Sequence, residues 1–246
     1  MSQPDVVYIE VSGRSIAYRL RRGKAPTIVF LPGYASDMDG AKALALDAFA
    51  EQRGQAMLRL DYSGNGSSGG DFEEGTLAAW LEDALSAIDR LTEGPLILIG
   101  SSMGGWIALH VARRRPERVR ALVGIASAPD FTDWGISDAA KVRLAAGETL
   151  RGHGDYGDRV TTAAFWSSGQ ELRLLDGEVA VDCAVRLIHG DQDHDVPLDV
   201  AFRTMRALRS ADVQLLILKG GGHRLSEPHE IDAILGTVAG LLEPEA

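Results

Sequence analysis

The chain carries one cysteine, Cys183, in 246 residues. That excludes an internal disulfide and any cysteine-based zinc cage, and it fits a reducing compartment. No apolar run reaches the roughly 18 residues that a membrane span requires. The opening Met1-Ser2-Gln3-Pro4-Asp5 has no basic region followed by an apolar stretch, so no signal peptide is expected. Basic residues are also in the minority. With 25 Lys and Arg against 35 Asp and Glu, the net charge is −10, which disfavours general binding to nucleic acid or anionic lipid. These absences predict a soluble, cytoplasmic protein. The rest of the composition, 45% hydrophobic and 24% charged, excludes disorder and collagen-like repeats. The length suits one larger domain or two small ones, and about 70–75% of the surface exposed by the unfolded chain is buried at this size.

Short β-branched runs alternate with longer helical patterns, the mark of a mostly parallel sheet covered by helices. Val6–Val11 and Ser15–Leu20 read as an opening hairpin. Thr27–Leu31, Ala56–Leu60, Pro95–Ile99 and Val119–Ala126 read as further strands. Helices are expected over Ala41–Arg53, Thr76–Leu91 and Met103–Arg115. From about Ala128 the rhythm breaks, and it resumes with Val185–His189, Leu198–Leu208, Val213–Leu218 and Ile231–Leu242. The interval 128–183 holds ten acidic and five basic side chains. Helices are expected in it near Asp138–Leu150 and Thr161–Leu175. The division that follows is a single domain over 1–246, with a core of 1–127 and 184–246 and a cap insertion at 128–183.

Gly-x-Ser-x-Gly occurs twice, as Gly66-Ser67-Ser68-Gly69-Gly70 and Gly100-Ser101-Ser102-Met103-Gly104. The bare pattern is weak, and context separates the copies. Ser102 follows an apolar strand and opens a helix, the setting in which a sharp turn exposes a nucleophilic hydroxyl. Ser68 lies in a Gly/Ser loop and reads as a turn residue. A serine nucleophile needs a base, and the base needs an orienting carboxylate. Of the histidines His110, His153, His189, His194, His223 and His229, His223 follows a strand through Lys219-Gly220-Gly221-Gly222, at the sheet edge where ligand and catalytic groups collect. His110 lies within a helix and reads as packed or solvated.

The carboxylate comes from His189-Gly190-Asp191-Gln192-Asp193-His194-Asp195-Val196-Pro197. Asp193 is the expected acid, Asp191 and Asp195 are turn residues, and Asp195 is a candidate cap for the next helix. Three aspartates and two histidines also raise a metal site, but adjacent residues on one loop seldom converge on one ion, so neither a metal nor any other cofactor is expected. Ser102, Asp193 and His223 stand in the order Ser, Asp, His along the chain. Oxyanion donors would be the backbone N–H of Met103 and, in the loop Pro32-Gly33-Tyr34-Ala35, that of Tyr34.

The pieces Leu31-Pro32-Gly33, Asp61-Tyr62-Ser63-Gly64-Asn65-Gly66-Ser67-Ser68, Gly100-Ser101-Ser102-Met103-Gly104-Gly105, His189-Gly190-x-x-Asp193-x-x-Val196-Pro197 and Gly222-His223 stand in this order. Together they make the chain resemble the α/β-hydrolase superfamily over nearly its whole length. Within it, Pro32-Gly33-Tyr34, Gly40-x-Lys42-Ala43-Leu44-Ala45, Gly105-Trp106 and His223-Arg224 resemble the mitochondrial acyl-protein thioesterase branch, also described as acyl-glucuronide esterases. The resemblance implies a serine esterase or thioesterase acting on acyl groups and departs over 128–183, where substrate would be chosen. The substrate expected is a small-molecule or protein-bound acyl ester or thioester, with short to medium acyl chains. The acidic excess in 128–183 disfavours polyanionic carriers. Trp106, Phe131, Trp134, Phe165 and Trp166 are candidates for an apolar acyl pocket, and core packing is an equal reading of each. The same triad would also serve an acyltransferase or a C–C bond hydrolase, and the fold alone would also suit a non-catalytic binding module.

Overall fold

The computed structural model describes residues 3–154 and 157–243, with the backbone alone for 153, 154, 157 and 158. Strands β1 (Val7–Val11) and β2 (Arg14–Arg21) form the opening hairpin, and β2 continues antiparallel onto β4 (Gln55–Leu60). From there every pairing is parallel: β4 with β3 (Lys24–Leu31), then β5 (Leu96–Ser101), β6 (Val119–Ile125), β9 (Ala184–Gly190) and β10 (Val213–Leu218). The strand order is β1-β2-β4-β3-β5-β6-β9-β10. The apolar run of β5 is explained by burial on both faces, and β4 has no exposed residue either, although it carries Gln55 and Arg59.

Helices α2 (Leu77–Leu91) and α3 (Met103–Arg114) pack on one face with Trp80, Trp106 and Leu109 in the core. Helices α1 (Ala41–Arg53) and α8 (Pro228–Leu242) cover the other through Leu46, Ile234 and Val238. The polar punctuation matches. Thr76 caps α2 by accepting from the N–H of Ala79 at 3.1 Å, and Gly54 closes α1 at a φ of 62°. Helix α7 (Leu198–Ala207) starts at Pro197 without a side-chain cap, so Asp195 does not fill that role. Its carboxylate turns instead toward Arg159.

Between β6 and β9 lie α4 (Phe131–Trp134), α5 (Asp138–Ala145), the hairpin of β7 (Leu150–Gly154) and β8 (Gly157–Thr161), and α6 (Ala163–Glu171). The helix expected over Asp138–Leu150 is shorter than that. It stops before Gly147, whose φ is 89°, and Leu150 pairs with Thr161. Likewise Thr161 belongs to β8, and α6 begins after Thr162, which accepts from the N–H of Phe165 at 3.1 Å. The two ends of this excursion meet at one side chain. Buried Asp130 accepts from the N–H groups of Leu174 at 2.8 Å and Leu175 at 2.7 Å. Trp106 Nε1 at 3.1 Å and His110 Nε2 at 2.8 Å both reach the carbonyl of Leu172, tying α3 to the end of the excursion.

His110 is thus packed. Burial pushes its pKa down to about 4, against a smaller upward pull from the Leu172 carbonyl. A histidine depressed in the folded state remains neutral while the unfolded chain takes up its proton, so folding loses stability as pH falls from 6.5 toward 4. His110→Gln is expected to flatten this limb. The difference in unfolding free energy between pH 7 and pH 5 should shrink by about 2 kcal/mol in urea titrations.

Candidate active site

The parallel strands end in register, Leu31 beside Gly100, Ser101 beside Ile125, and Leu218 beside Gly190, so the loops that follow share one edge of the sheet. Ser102 sits between β5 and α3 with φ 53° and ψ −120°, a backbone conformation that costs a non-glycine residue about 1–3 kcal/mol. The turn is held from all sides. Ser102 N donates to Ile125 O at 2.9 Å, and its carbonyl accepts from Gly105 at 2.9 Å and Ala128 at 3.1 Å. Close backbone approach dictates the small neighbours: a Cβ on Gly100 would lie 2.3 Å from the carbonyl oxygen of Gly104, and one on Gly104 would lie 2.0 Å from that of Leu31.

His223 arrives from the loop after β10. Its Nε2 is 3.1 Å from Ser102 Oγ and its Nδ1 is 2.9 Å from Asp193 Oδ2. With Nδ1–H donated to the carboxylate, Nε2 is left to accept from the serine hydroxyl. Asp193 has a buried carboxylate. Its Oδ1 accepts from the N–H groups of Asp195 at 3.0 Å and Val196 at 2.8 Å. Burial alone would raise its pKa, but the hydrogen bonds from His223 and Val196, with the charge of His223 and His189, hold it below the ordinary carboxylate range. The acid and base loops are stitched together by Asp191, whose carboxylate accepts from Gly220 N at 2.6 Å, and by Gln192 N donating to Gly221 O at 2.9 Å.

The structure therefore brings Ser102, Asp193 and His223 into one hydrogen-bonded chain and leaves the other candidates outside it. Ser68 is a turn residue, with Oγ donating to Asp61 O at 2.7 Å and accepting from Ala17 N at 2.8 Å. His189 is buried with Nε2 on Val196 O at 2.9 Å. The His153 side chain lies outside the described residues. Among the described residues, the N–H groups of Met103 and Tyr34 meet no protein acceptor. Asp193, Asp195 and His223 offer ligand atoms within 4.8 Å of one another, the one metal-sized group among the described residues. The same carboxylate of Asp193 is the hydrogen-bond acceptor of His223, and Asp195 faces Arg159 at 3.7 Å.

Two cavities meet at this point and share Ser102, Tyr34, Arg159, Asp195 and His223. The larger, about 440 Å³, runs beneath α1 past Gly33, Lys42 and Arg224. The smaller, about 100 Å³, is walled by Phe131, Trp134, Ile136 and Val196. Of the aromatic candidates, Phe131 and Trp134 line it, whereas Trp106 and Phe165 are core and Trp166 bonds Thr132 O from α6. Among the described side chains of 128–183, no acidic one lines the cavities. Asp130 clamps its own segment, and Asp133, Glu148, Asp176 and Asp182 pair with Lys141, Arg143, Arg173 and Arg209. The cavity linings hold Lys42, Arg159 and Arg224 against Asp37 and Asp195. Lys42 was missed as a lining residue by sequence reasoning. It reaches back to bond the carbonyl of Arg224. Burial, and the charge of Arg224 after it, push the Lys42 pKa down to about 8. The amine should titrate with a midpoint of about 8 in pH-dependent reductive methylation.

Residues 26–166 match the family model for the alpha/beta hydrolase fold. The chain belongs to the alpha/beta hydrolase family. It is accordingly a hydrolase, and its similarities within the family are extensive. The hydrolase is 37% identical over 235 residues to a Homo sapiens protein named palmitoyl-protein thioesterase ABHD10, mitochondrial, spanning 93% of this chain and 77% of that one. It superposes on alpha/beta hydrolase domain-containing protein 10 from mouse with a TM-score of 0.91, at 36% identity and covering 97% of this chain and 98% of that one. A putative hydrolase from Agrobacterium vitis S4 gives a TM-score of 0.92 at 36% identity, covering 97% and 99%. The cytoplasmic location expected from composition is overturned here, because curated relatives in several mammals are named mitochondrial. A lone cysteine and the lack of a long apolar run do not distinguish one compartment from another. None of the helices among the described residues is long and apolar enough to cross a membrane.

Proposed function

We propose that the hydrolase cleaves acyl thioesters and esters through an acyl-enzyme on Ser102. The observation that carries this is the unbroken chain Ser102–His223–Asp193 at a strained turn where two cavities meet. In the proposed mechanism His223 Nε2 takes the hydroxyl proton as Ser102 Oγ attacks the acyl carbon. Asp193, kept ionised, fixes the imidazole tautomer and stabilises the imidazolium. The oxyanion is received by the N–H groups of Met103, at the first turn of α3, and Tyr34. His223 then gives its proton to the leaving group and activates the water that releases the acid.

The smaller cavity, with Phe131 and Trp134 among its walls, suits a short to medium acyl chain, and the wider cavity leaves room for a bulky leaving group. Relatives named palmitoyl-protein thioesterases make a protein-borne thioester the first substrate to test. In this reading 1–127 and 184–246 form the core of one domain, with 128–183 as its cap. No resident metal or other cofactor enters, so EDTA should leave turnover unchanged.

The test is a comparison of kcat/KM across S-acyl peptides, p-nitrophenyl esters, acyl glucuronides and matched anilides. Thiolate, phenolate and sugar oxygen leave with little protonation, whereas an amine must be protonated in time. Thioesters and esters should be turned over well and anilides negligibly. Anilides hydrolysed as fast as the esters would refute the substrate class. Release of product without incorporation of labelled water oxygen would instead indicate transfer to another acceptor.

A further inference from the structure

The segment Asp61–Ser68 takes no part in the proton chain, yet two of its side chains are fully buried and aimed at the loop that follows β3. Asp61 divides its carboxylate between two loops: Oδ1 accepts from Met38 N at 2.7 Å and Oδ2 from Ser67 N at 2.8 Å. Next to it, Tyr62 donates its hydroxyl to Pro32 O at 3.3 Å. Arg59, two residues before Asp61, donates to Met38 O at 2.8 Å. Both peptide groups of Met38 and the carbonyl of Pro32 are therefore gripped, and Tyr34 lies between the gripped points.

The grip stands on a rigid base. Ser63 donates its N–H and its hydroxyl to the buried Asp83 at 2.9 and 2.7 Å, and Trp80 Nε1 donates to Ser63 O at 2.9 Å. Gly66 lies so close to the Asp61 carboxylate that a Cβ there would stand 2.2 Å from Oδ2. On its other side the loop abuts the nucleophile turn. A Cβ on Gly104 would lie 2.5 Å from Pro32 O, and one on Gly33 would lie 3.4 Å from Ser102 Cβ. Little slack exists between the grip and the point where the loop abuts the Ser102 turn.

We infer that Asp61 and Tyr62 are positioning residues, which hold the Pro32–Met38 loop so that the Tyr34 N–H is aimed at the developing oxyanion. The inference rests on the acyl-enzyme reading above. A donor held by preorganised dipoles matters most in the transition state, where charge collects on the carbonyl oxygen. Asp61→Asn keeps the shape but replaces one acceptor oxygen with an NH₂ group that confronts a backbone N–H. Tyr62→Phe deletes one hydrogen bond and nothing else.

The experiment measures thioester turnover, normalised to active sites counted by fluorophosphonate titration, for both variants. It also measures binding of an acyl trifluoromethyl ketone, which forms a tetrahedral adduct, and of a non-hydrolysable thioether. Loss of a whole oxyanion donor costs about 100- to 1,000-fold, so a misaimed one should cost about 10- to 100-fold in kcat for Asp61→Asn and about threefold for Tyr62→Phe. KM, thioether binding and the pH profile should stay near wild type, while ketone affinity falls in parallel with kcat. Normalised kcat within twofold of wild type for Asp61→Asn, or equal weakening of ketone and thioether, overturns the inference. If Asp61→Asn does not fold, unchanged ketone affinity in Tyr62→Phe overturns it alone. Failure of the acyl-enzyme reading is seen separately, as thioester turnover that survives Ser102→Ala.

Discussion

Ser102→Ala is expected to abolish fluorophosphonate labelling and to lower kcat by about 10⁴- to 10⁶-fold, the range for removing a serine nucleophile that acts as a unit with its base. The matching change in the second Gly-x-Ser-x-Gly, Ser68→Ala, leaves labelling intact. Its hydroxyl is spent on Asp61 O and Ala17 N, and among the described residues no histidine hydrogen-bonds to it. The contrast is a strong test because the two motifs are alike as strings and differ only in their setting. Labelling lost in Ser68→Ala and kept in Ser102→Ala would reverse the assignment.

Asp193→Asn should lower kcat by about 10³- to 10⁴-fold with the fold retained by circular dichroism. The amide keeps the size of the side chain, but its NH₂ competes for the place where His223 Nδ1–H now points, and the imidazole is released to the wrong tautomer. Asp191→Asn and Asp195→Asn should keep most of their activity, since neither carboxylate touches His223 by hydrogen bond. Equal sensitivity of either neighbour would mean that the acid sits elsewhere in the loop.

The fold was legible wherever burial writes a pattern into local sequence. Strands such as Thr27–Leu31 and helices such as Ala41–Arg53 advertise themselves through apolar runs or 3.6-residue spacing, and the structure agrees to within a few residues. The hairpin of β7 and β8 carries no such pattern. Leu-Arg-Gly-His-Gly and Gly-Asp-Arg-Val-Thr alternate no apolar face, because the hairpin is held by backbone pairing and by Tyr34 reaching Val160 O. Ser102, Asp193 and His223 could be proposed together from chain order and loop context, and they do meet. Sequence distance hid the rest. The grip of Asp61 on Met38 spans 23 residues and that of Lys42 on Arg224 spans 182, and no local spacing encodes either. Nor does charge composition say which side chains of 128–183 pair with one another, as Asp133 does with Lys141 and Glu148 with Arg143.

The clamp at Asp130 draws the beginning and the end of the stretch between β6 and β9 together at one carboxylate. The stretch also meets the core at Phe165 and at the Leu172 carbonyl held by Trp106 and His110, and between such anchor points the entropic cost of closing a longer stretch grows only logarithmically with length. Insertions between these anchor points can then alter the surroundings of Phe131 and Trp134 while the eight-stranded sheet keeps its pairings. Selection can work on what enters the site and on how it is cleaved as two nearly separate problems.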